Sequence, residues 1–413
     1  MGAIYGGSAL NIAAADATSP LESSLKLSRV QARSTPIVWL NARNGTAKSP
    51  YKLYPRGIMD HEFFSAPIMR RGWIIQELLL APRILYLFHH QLWWECNRLL
   101  ASETYADGIP FELLDTQSQF PRSRIMVHQP SEKAIRSKSK RKLRKTRKRL
   151  LKLWYDTIMA YTACDLTYAT DKLVAISGVA KRFEYLLDDV YLAGHSKRTI
   201  IKELCWEYPM FAQPCRQLGS YRAPSWSWAS VDGERIWKKS NPPGRKSTET
   251  IFTKMIECVL VYATADRTGQ VLSGSLRLCG LLFSIKLMPG SAGPQGSVRG
   301  ELDGLVFLFM ARDFDLGIHG SNMHLMPISR GGDNDDVYSL ILEPTGKARG
   351  QFRRIGVWTD WLTPSSSPIS RKYRGRLSVA DDQDDQAEKY EIARIGRSAI
   401  SYLLESPQHK NHD

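Results

Sequence analysis

Apolar residues recur along this chain with two different periods, and the change between them falls near residue 237. From about Lys140 to Thr162, Leu143, Leu150, Trp154, Ile158 and Tyr161 return at three-, four- and seven-residue steps, with lysine and arginine between them. That spacing keeps one face apolar over successive turns and predicts an amphipathic helix, basic in its first half. A second helix is expected with Asp171 as its cap and Leu173, Ile176, Ala180, Phe183 and Leu187 along one side. A third, capped by Ser196, holds Ile200, Leu204 and Cys205. Upstream, Ser65-Ala66-Pro67 offers an N-cap and a proline suited to a first turn, and Ile68, Ile75, Leu78 and Leu79 run from there to a stop at Pro82. The alanine-rich stretch Ser8 to Ala17 also has good helix propensity, closed soon after by Pro20.

Short β-prone runs make up the rest. Arg83 to Phe88 and Leu92 to Cys96, separated by His89-His90-Gln91, read as a hairpin, and Ile37 to Leu40 as one strand within a loop-rich segment of residues 28 to 60. Beyond Trp237 the strand-like runs are Cys258 to Ala263, Ser275 to Leu282, Gly304 to Met310, Val337 to Leu342 and Gln351 to Trp358, with Gly, Pro, Ser and Asp clusters between them. A Ser/Pro stretch after Pro364 leads into adjacent basic and acidic blocks, a pattern expected to be solvated and mobile, and Ile392 to Leu404 could form a short terminal helix.

Composition places the chain among ordinary globular proteins: 43% of its 413 residues are hydrophobic and 24% charged, enough to bury sizeable cores. The formal charge of +16 points first toward nucleic acid or an anionic membrane. Its distribution changes that picture, because residues 133 to 152 hold twelve cations and no acid, and removing them from +16 leaves +4 for the other residues. The six cysteines form no Cys-x-x-Cys pair and no apolar signal segment opens the chain, which argues against a disulfide framework and for an intracellular compartment, cytoplasm or nucleus. No cysteine–histidine spacing suits a metal, no Gly-Lys-Ser/Thr phosphate loop or Gly-x-Ser-x-Gly elbow occurs, and no apolar run is long enough for a bilayer. The sequence thus calls for no metal, no cofactor and no integral membrane segment.

Three stretches carry a more specific signal. Arg71-Gly-Trp-Ile-Ile-Gln-Glu-Leu-Leu-Leu-Ala-Pro-Arg83 contains Arg71, Trp73, Gln76 and Glu77; Gln91-Leu-Trp-Trp-Glu-Cys96 contains Trp94, Glu95 and Cys96; Tyr221-Arg-Ala-Pro-Ser-Trp-Ser-Trp-Ala-Ser-Val-Asp-Gly233 contains Tyr221, Pro224, Trp226 and Trp228. Together, with supporting matches at Asp171-Lys172-Leu173 and Tyr191-Leu-Ala-Gly194, they resemble the fungal heterokaryon-incompatibility (HET) domain proteins. The resemblance covers residues 4 to 237 and, weakly, Tyr338 to Gly356. It implies an α+β protein: the end of an α/β domain related to the Toll/interleukin-receptor fold over residues 1 to 115, a helical extension over 116 to 237, a β-rich unit over 238 to 363 and a charged tail over 364 to 413. Family members carry a longer N-terminal portion with a Trp-Gly-containing strand region, so the expectation is a chain that begins within the last third of that domain. The implied function is self/non-self recognition, in which related domains trigger growth arrest or cell death, through a protein partner of unknown identity and without catalysis.

Alternatives remain at each candidate site. Trp73 and Glu77 share a helix face, where Glu77 could pair with Arg70 or Arg71; the resemblance offers instead a catalytic Glu77, since NAD glycohydrolase activity among relatives of the Toll/interleukin-receptor fold uses a glutamate. Cys96 could be a nucleophile, which would need a base to lower its pKa, or a half-buried thiol beside an edge carboxylate, Glu95. If Ser225 to Trp228 is extended, both indoles project from one face as a stacking platform or as a plug in a core or seam. The basic run, with Lys140, Arg141, Lys142, Arg144, Lys145, Arg147, Lys148 and Arg149 at its centre, reads as a solvated helix start, a nuclear-localisation or nucleic-acid patch, or a surface for anionic lipid or an acidic partner.

Overall fold

Alternation along Arg83–Leu87 (β4) and Leu92–Cys96 (β5) puts Ile84 and Tyr86 of one strand and Trp93 and Glu95 of the other on the same buried face. Antiparallel pairing sets Tyr86 opposite Trp93 and Ile84 opposite Glu95, so the expected hairpin is present with its inward set in register. The computed structural model describes residues 1–19, 37–41, 48–52, 63, 66–89, 91–96, 98–109, 139–207, 221–233, 236–237, 250–287, 297–302, 305–310, 322–331, 336–359 and 402–405. These form a mixed helix-and-sheet protein of α+β class. The chain divides into two compact units: Met1–Thr167 with Ala175–Leu187, and Tyr168–Val174 with Asp188–Asp413. The basic helix of the expected 116–237 segment therefore belongs to the first unit, and the tryptophan motif of the same segment to the second.

In the first unit the hairpin sits in a four-stranded sheet of order β1-β4-β5-β6, with Asn11–Ala14 (β1) parallel to β4 and Leu100–Ser102 (β6) antiparallel to β5. Phe63 lies edge-on to Tyr86, Phe88 and Trp93 at 5.0 to 5.1 Å between centroids, which makes an aromatic core on the inward face. Ser8 to Ala17 is not a helix. A short helix, Gly2–Gly7 (α1), precedes it, and β1 occupies its middle. Parallel pairing with β4 gives the backbone a ladder along one edge, and Ala13 and Ala15 are small enough to bury against the sheet, which outweighs a helix propensity of only tenths of a kcal/mol per residue. Ile37–Asn41 (β2) is the expected strand, and Lys48–Lys52 (β3) pairs with it as a second one.

The helix expected from Ile68 to Pro82 is broken in two. Pro67–Arg70 is a 3-10 turn and Ile74–Leu80 (α2) the α-helix, ending at extended Ala81 before Pro82. The break lies at Arg71-Gly72, where Gly72 N donates to Asp165 O and Asp165 N to Arg70 O, flanking Arg71 with a bridge to Asp165 in place of continued helix bonds. Lys140–Thr162 (α3) forms as expected, its apolar stripe packed on Ser177–Leu187 (α4) with Trp154 and Phe183 at 5.2 Å between ring centroids. Asp171 does not cap α4: it lies in a separate 3-10 turn, Ala169–Lys172, although Leu173, Ile176, Ala180, Phe183 and Leu187 are all buried as expected.

The second unit is built on a ten-stranded sheet. Along it run Lys254–Tyr262 (β12), Val271–Cys279 (β13), Tyr402–Glu405 (β20), Gln351–Thr359 (β19), Asp336–Pro344 (β18), Asn322–Gly331 (β17), Phe283–Leu287 (β14), Ser297–Leu302 (β15) and Leu305–Met310 (β16), with Thr250–Ile251 (β11) paired to β17. Each strand-like run of the sequence beyond Trp237 overlaps a strand, although Ala263 and Gly280 to Leu282 lie past the ends of β12 and β13. The central β18 is buried on both faces, which accounts for its unbroken Val-Tyr-Ser-Leu-Ile-Leu. The expected terminal helix is contradicted where it is described: Tyr402 to Leu404 belong to β20, wedged between β13 and β19, where two neighbours satisfy its backbone. The mobile tail expected after Pro364 otherwise lies outside the described residues.

The region around residue 200 is less helical than expected. Only Ile200–Glu203 (α5) is α-helical, preceded by Thr199, while Ser196 lies in the small ladder of Tyr191–Leu192 (β7) with His195–Ser196 (β8). A second two-stranded ladder joins Trp206–Glu207 (β9) to Ile236–Trp237 (β10).

Candidate functional site

Glu77 stands in the first turn of α2, half-buried. The residues before the helix are fixed by a backbone clamp: Gly72 N donates to Asp165 O at 2.8 Å and Asp165 N to Arg70 O at 2.6 Å. A Cβ at Gly72 would meet Leu166 Cδ2 at 2.5 Å, which explains a glycine between Arg71 and Trp73. From α1, Tyr5 donates its phenolic hydrogen to the Glu77 carboxyl, and Arg71 lies near enough to act on both groups. Burial raises the Glu77 carboxyl above its ordinary pKa; the Tyr5 hydrogen bond and the Arg71 charge pull against this without cancelling it. The Tyr5 hydroxyl is raised in turn, by burial and then by the neighbouring carboxylate. Gln76, one residue earlier, points inward and is fully buried, with neither amide atom hydrogen-bonded among the described residues. Tyr5 enters the sequence reading only as part of Ile4-Tyr5, at the N-terminal end of the stretch the resemblance covers; its pairing with Glu77, 72 residues away, was missed.

Glu95 is not an edge carboxylate. β5 lies between β4 and β6, and Glu95 is fully buried, accepting a 2.6 Å hydrogen bond from Tyr86. Trp94 and Cys96 take the opposite, half-exposed face. Burial raises the Cys96 thiol, but hydrogen bonds from the Arg98 and Leu99 backbone and the Trp94 side chain, with the Arg83 charge, bring it below its usual pKa. The lowering comes from donors and a cation rather than from a histidine base. Cys164 is accounted for structurally, donating to Met69 O at 3.2 Å.

The tryptophan motif is not extended. Tyr221 to Ser230 turns at Pro224, whose carbonyl accepts from Ser227 N at 2.8 Å, and Trp228–Ser230 is a 3-10 turn capped by the Ser227 hydroxyl. The indoles of Trp226 and Trp228 are both fully buried, so neither offers a stacking platform. Trp228 Nε1 donates to Gly194 O at 2.8 Å and Ser227 Oγ to Ala193 O at 2.6 Å, which ties the motif to the Tyr191-Leu-Ala-Gly194 turn. Ala193 and Gly194 take positive φ, 44° and 103°, and a Cβ at Gly194 would fall 2.4 Å from Trp228 Nε1.

Around these tryptophans lie ionisable groups, of which His195, Glu203 and Arg354 were not marked by the sequence. His195, fully buried, places Nδ1 3.2 Å from Glu203 Oε2 and Nε2 3.2 Å from Trp226 O. Glu203 also accepts from Ser196 N at 3.0 Å. Arg354, fully buried on β19, stacks 3.5 Å above the Trp206 ring, donates through Nε to Leu204 O at 3.0 Å and bonds Trp206 O through Nη2. Lys172 and Arg222, with side chains 3% and 2% exposed, both donate to Asp232 Oδ1, at 3.2 and 2.8 Å. Burial would raise Asp232; the two cations outweigh it and hold the carboxyl below the usual range. Asp232 is thus the shared acceptor of two buried cations. These bonds fasten Lys172 and the Tyr221–Asp232 segment into one network, with Asp171 half-buried alongside.

On α3, Lys140, Arg141, Lys142, Arg144, Lys145, Lys148 and Arg149 are exposed and Arg147 is half-buried. Among the described residues no group of three or more His, Cys, Asp or Glu could hold a metal, and no helix is long and apolar enough to cross a membrane. Among the described residues, fold and site together define a mixed α+β protein with a tyrosine–glutamate–arginine cluster, its phenol and carboxyl half-buried, and an ionic network around paired tryptophans. No protein-family model matches the chain, and no curated protein or solved structure gives a significant match.

Proposed function

We propose that this chain is a signalling or interaction protein of the kind its resemblance to the fungal HET family implies, linked to cell death and acting without catalysis of its own. The observation that carries this reading is that the motif residues are used as structure. Trp226 and Trp228 are buried and bonded to the 193–194 turn, Lys172 and Arg222 converge on Asp232, and the Arg71–Glu77 segment is clamped by Asp165. Such residues hold a surface in shape for a partner. The test is expression of the full chain in a fungal host: growth arrest or death is expected, and it is expected to be lost in Trp73→Ala. Absence of any phenotype across host backgrounds would overturn the proposal.

One observation favours a second reading. Glu77 is half-buried, carries a raised pKa and receives a phenol hydrogen bond, the setting expected of a carboxyl that does acid–base work. An NAD-consuming hydrolase using Glu77 would release nicotinamide on incubation of the purified protein with NAD and lose that release in Glu77→Gln. The first reading expects no release from either protein.

A further inference from the structure

The basic segment of α3 is a preformed helix, not a solvated coil, because Thr146, Leu150, Leu153, Trp154 and Tyr161 anchor its inward stripe. At about 100° per residue, Arg141 and Lys148 project directly away from that stripe. Lys140 and Arg144 lean toward one flank, and Lys142 and Arg149 toward the other, about 50 to 110° from the outward direction. All six are exposed. The cations therefore wrap the whole solvent side of the helix, over the about 15 Å that ten residues span, and no acid interrupts them before Asp156.

We propose that this face of α3 is a docking surface for duplex nucleic acid, seated in a major groove. A helix with its side chains is about 10–12 Å across, and the major groove of B-form DNA is about 12 Å wide. Cations on opposite flanks then meet the phosphates of both strands, each neutralising charge and releasing counterions. A flat anionic partner meets only one side of such a rod and leaves the flank cations facing water. A membrane interface would also need an apolar face at the lipid, and here the apolar stripe is turned into the protein. Phosphate binding of this kind positions a protein on a duplex without reading its sequence. The surface is independent of Glu77 and of the HET-like reading.

The experiment uses the full chain and a labelled mixed-sequence DNA duplex of about two helical turns, with binding followed by fluorescence anisotropy between about 50 and 200 mM NaCl. Three double variants remove equal charge: K140Q/R144Q and K142Q/R149Q on the flanks, and R141Q/K148Q on the outward line. Glutamine is a good helix former, so the helix persists, and the charge-conserving K140R/R144K reports any purely structural effect. Expected is salt-sensitive binding whose log–log slope falls by about 2 in each flank variant, about 0.9 for each phosphate no longer neutralised, with a smaller change in R141Q/K148Q and none in K140R/R144K. No DNA binding at about 50 mM salt would overturn the proposal. So would weakening confined to R141Q/K148Q, or retention by phosphatidylserine vesicles without retention by DNA, since either points to a flat partner.

Discussion

Individual side chains in this protein take their chemistry from what surrounds them. Cys96 and Cys258 both occur in strands, yet donors and Arg83 lower the first, while burial pushes the second up to about 11 despite the nearby Lys197 charge. Iodoacetamide at mildly alkaline pH is therefore expected to label Cys96 well before Cys258, as read by peptide mass mapping; equal rates would show that the donors around Cys96 have no effect on its thiolate. Asp232 makes the opposite kind of case, a half-exposed carboxylate that serves two buried cations. Asp232→Asn removes the carboxylate both cations share and is expected to cost about 1–3 kcal/mol near neutral pH, less than for a fully buried pair because water reaches one side. Its folded pKa lies below the ordinary 3.8, so this stability is present above the unfolded pKa and disappears as pH falls through the folded one. Melting curves of the two proteins should accordingly converge in acid.

At the scale of elements, tertiary partners decided what propensity left open. Ser8 to Ala17 contains a helix former at nearly every second position, yet β4 captured it as a strand; the 68–82 helix was interrupted because Asp165 offered its backbone to Gly72. The α3 helix and the β4–β5 hairpin were legible in the sequence because their periodicity, turn residues and burial all agree, and nothing competes for them. The 193–194 turn was not, since only the packed Trp228 shows why a residue without Cβ is needed there. Gly194→Ala forces a Cβ into the indole at positive φ, and a loss of about 2–4 kcal/mol is expected. Chemical denaturation measures it, and a loss below about 0.5 kcal/mol, the scatter of neutral surface changes, would mean the turn can open without cost.

For the whole molecule, charge and stability are carried by different parts. Twelve cations behind the +16 lie in residues 133 to 152, nine of them on α3, whose inward stripe is neutral, while the buried ions of the second unit are arranged around tryptophans. Replacing Lys140, Arg141, Lys142, Arg144, Lys148 and Arg149 by glutamine is expected to bring elution from a cation exchanger to clearly lower salt while shifting the melting temperature little. Exposed lysines and arginines contribute within about 0.5 kcal/mol each. A large fall in melting temperature would instead show that these cations hold the fold.

Local periodicity determined the α3 amphipathic stripe, the β4–β5 hairpin, the strand-rich final third and the confinement of charge, because each follows from which residues recur on one face. The family-like motifs marked Arg71 to Glu77 and Tyr221 to Asp232 without saying how they are used. That was decided by contacts between residues far apart in the chain. Tyr5 reaches Glu77, Asp165 breaks the helix before Trp73, and Gly194 receives Trp228. Arg354 comes to Trp206 across 148 positions. Spacing along a chain encodes periodic burial; it does not encode which distant backbone carbonyl or carboxylate will satisfy a buried donor. Only the folded packing makes that choice.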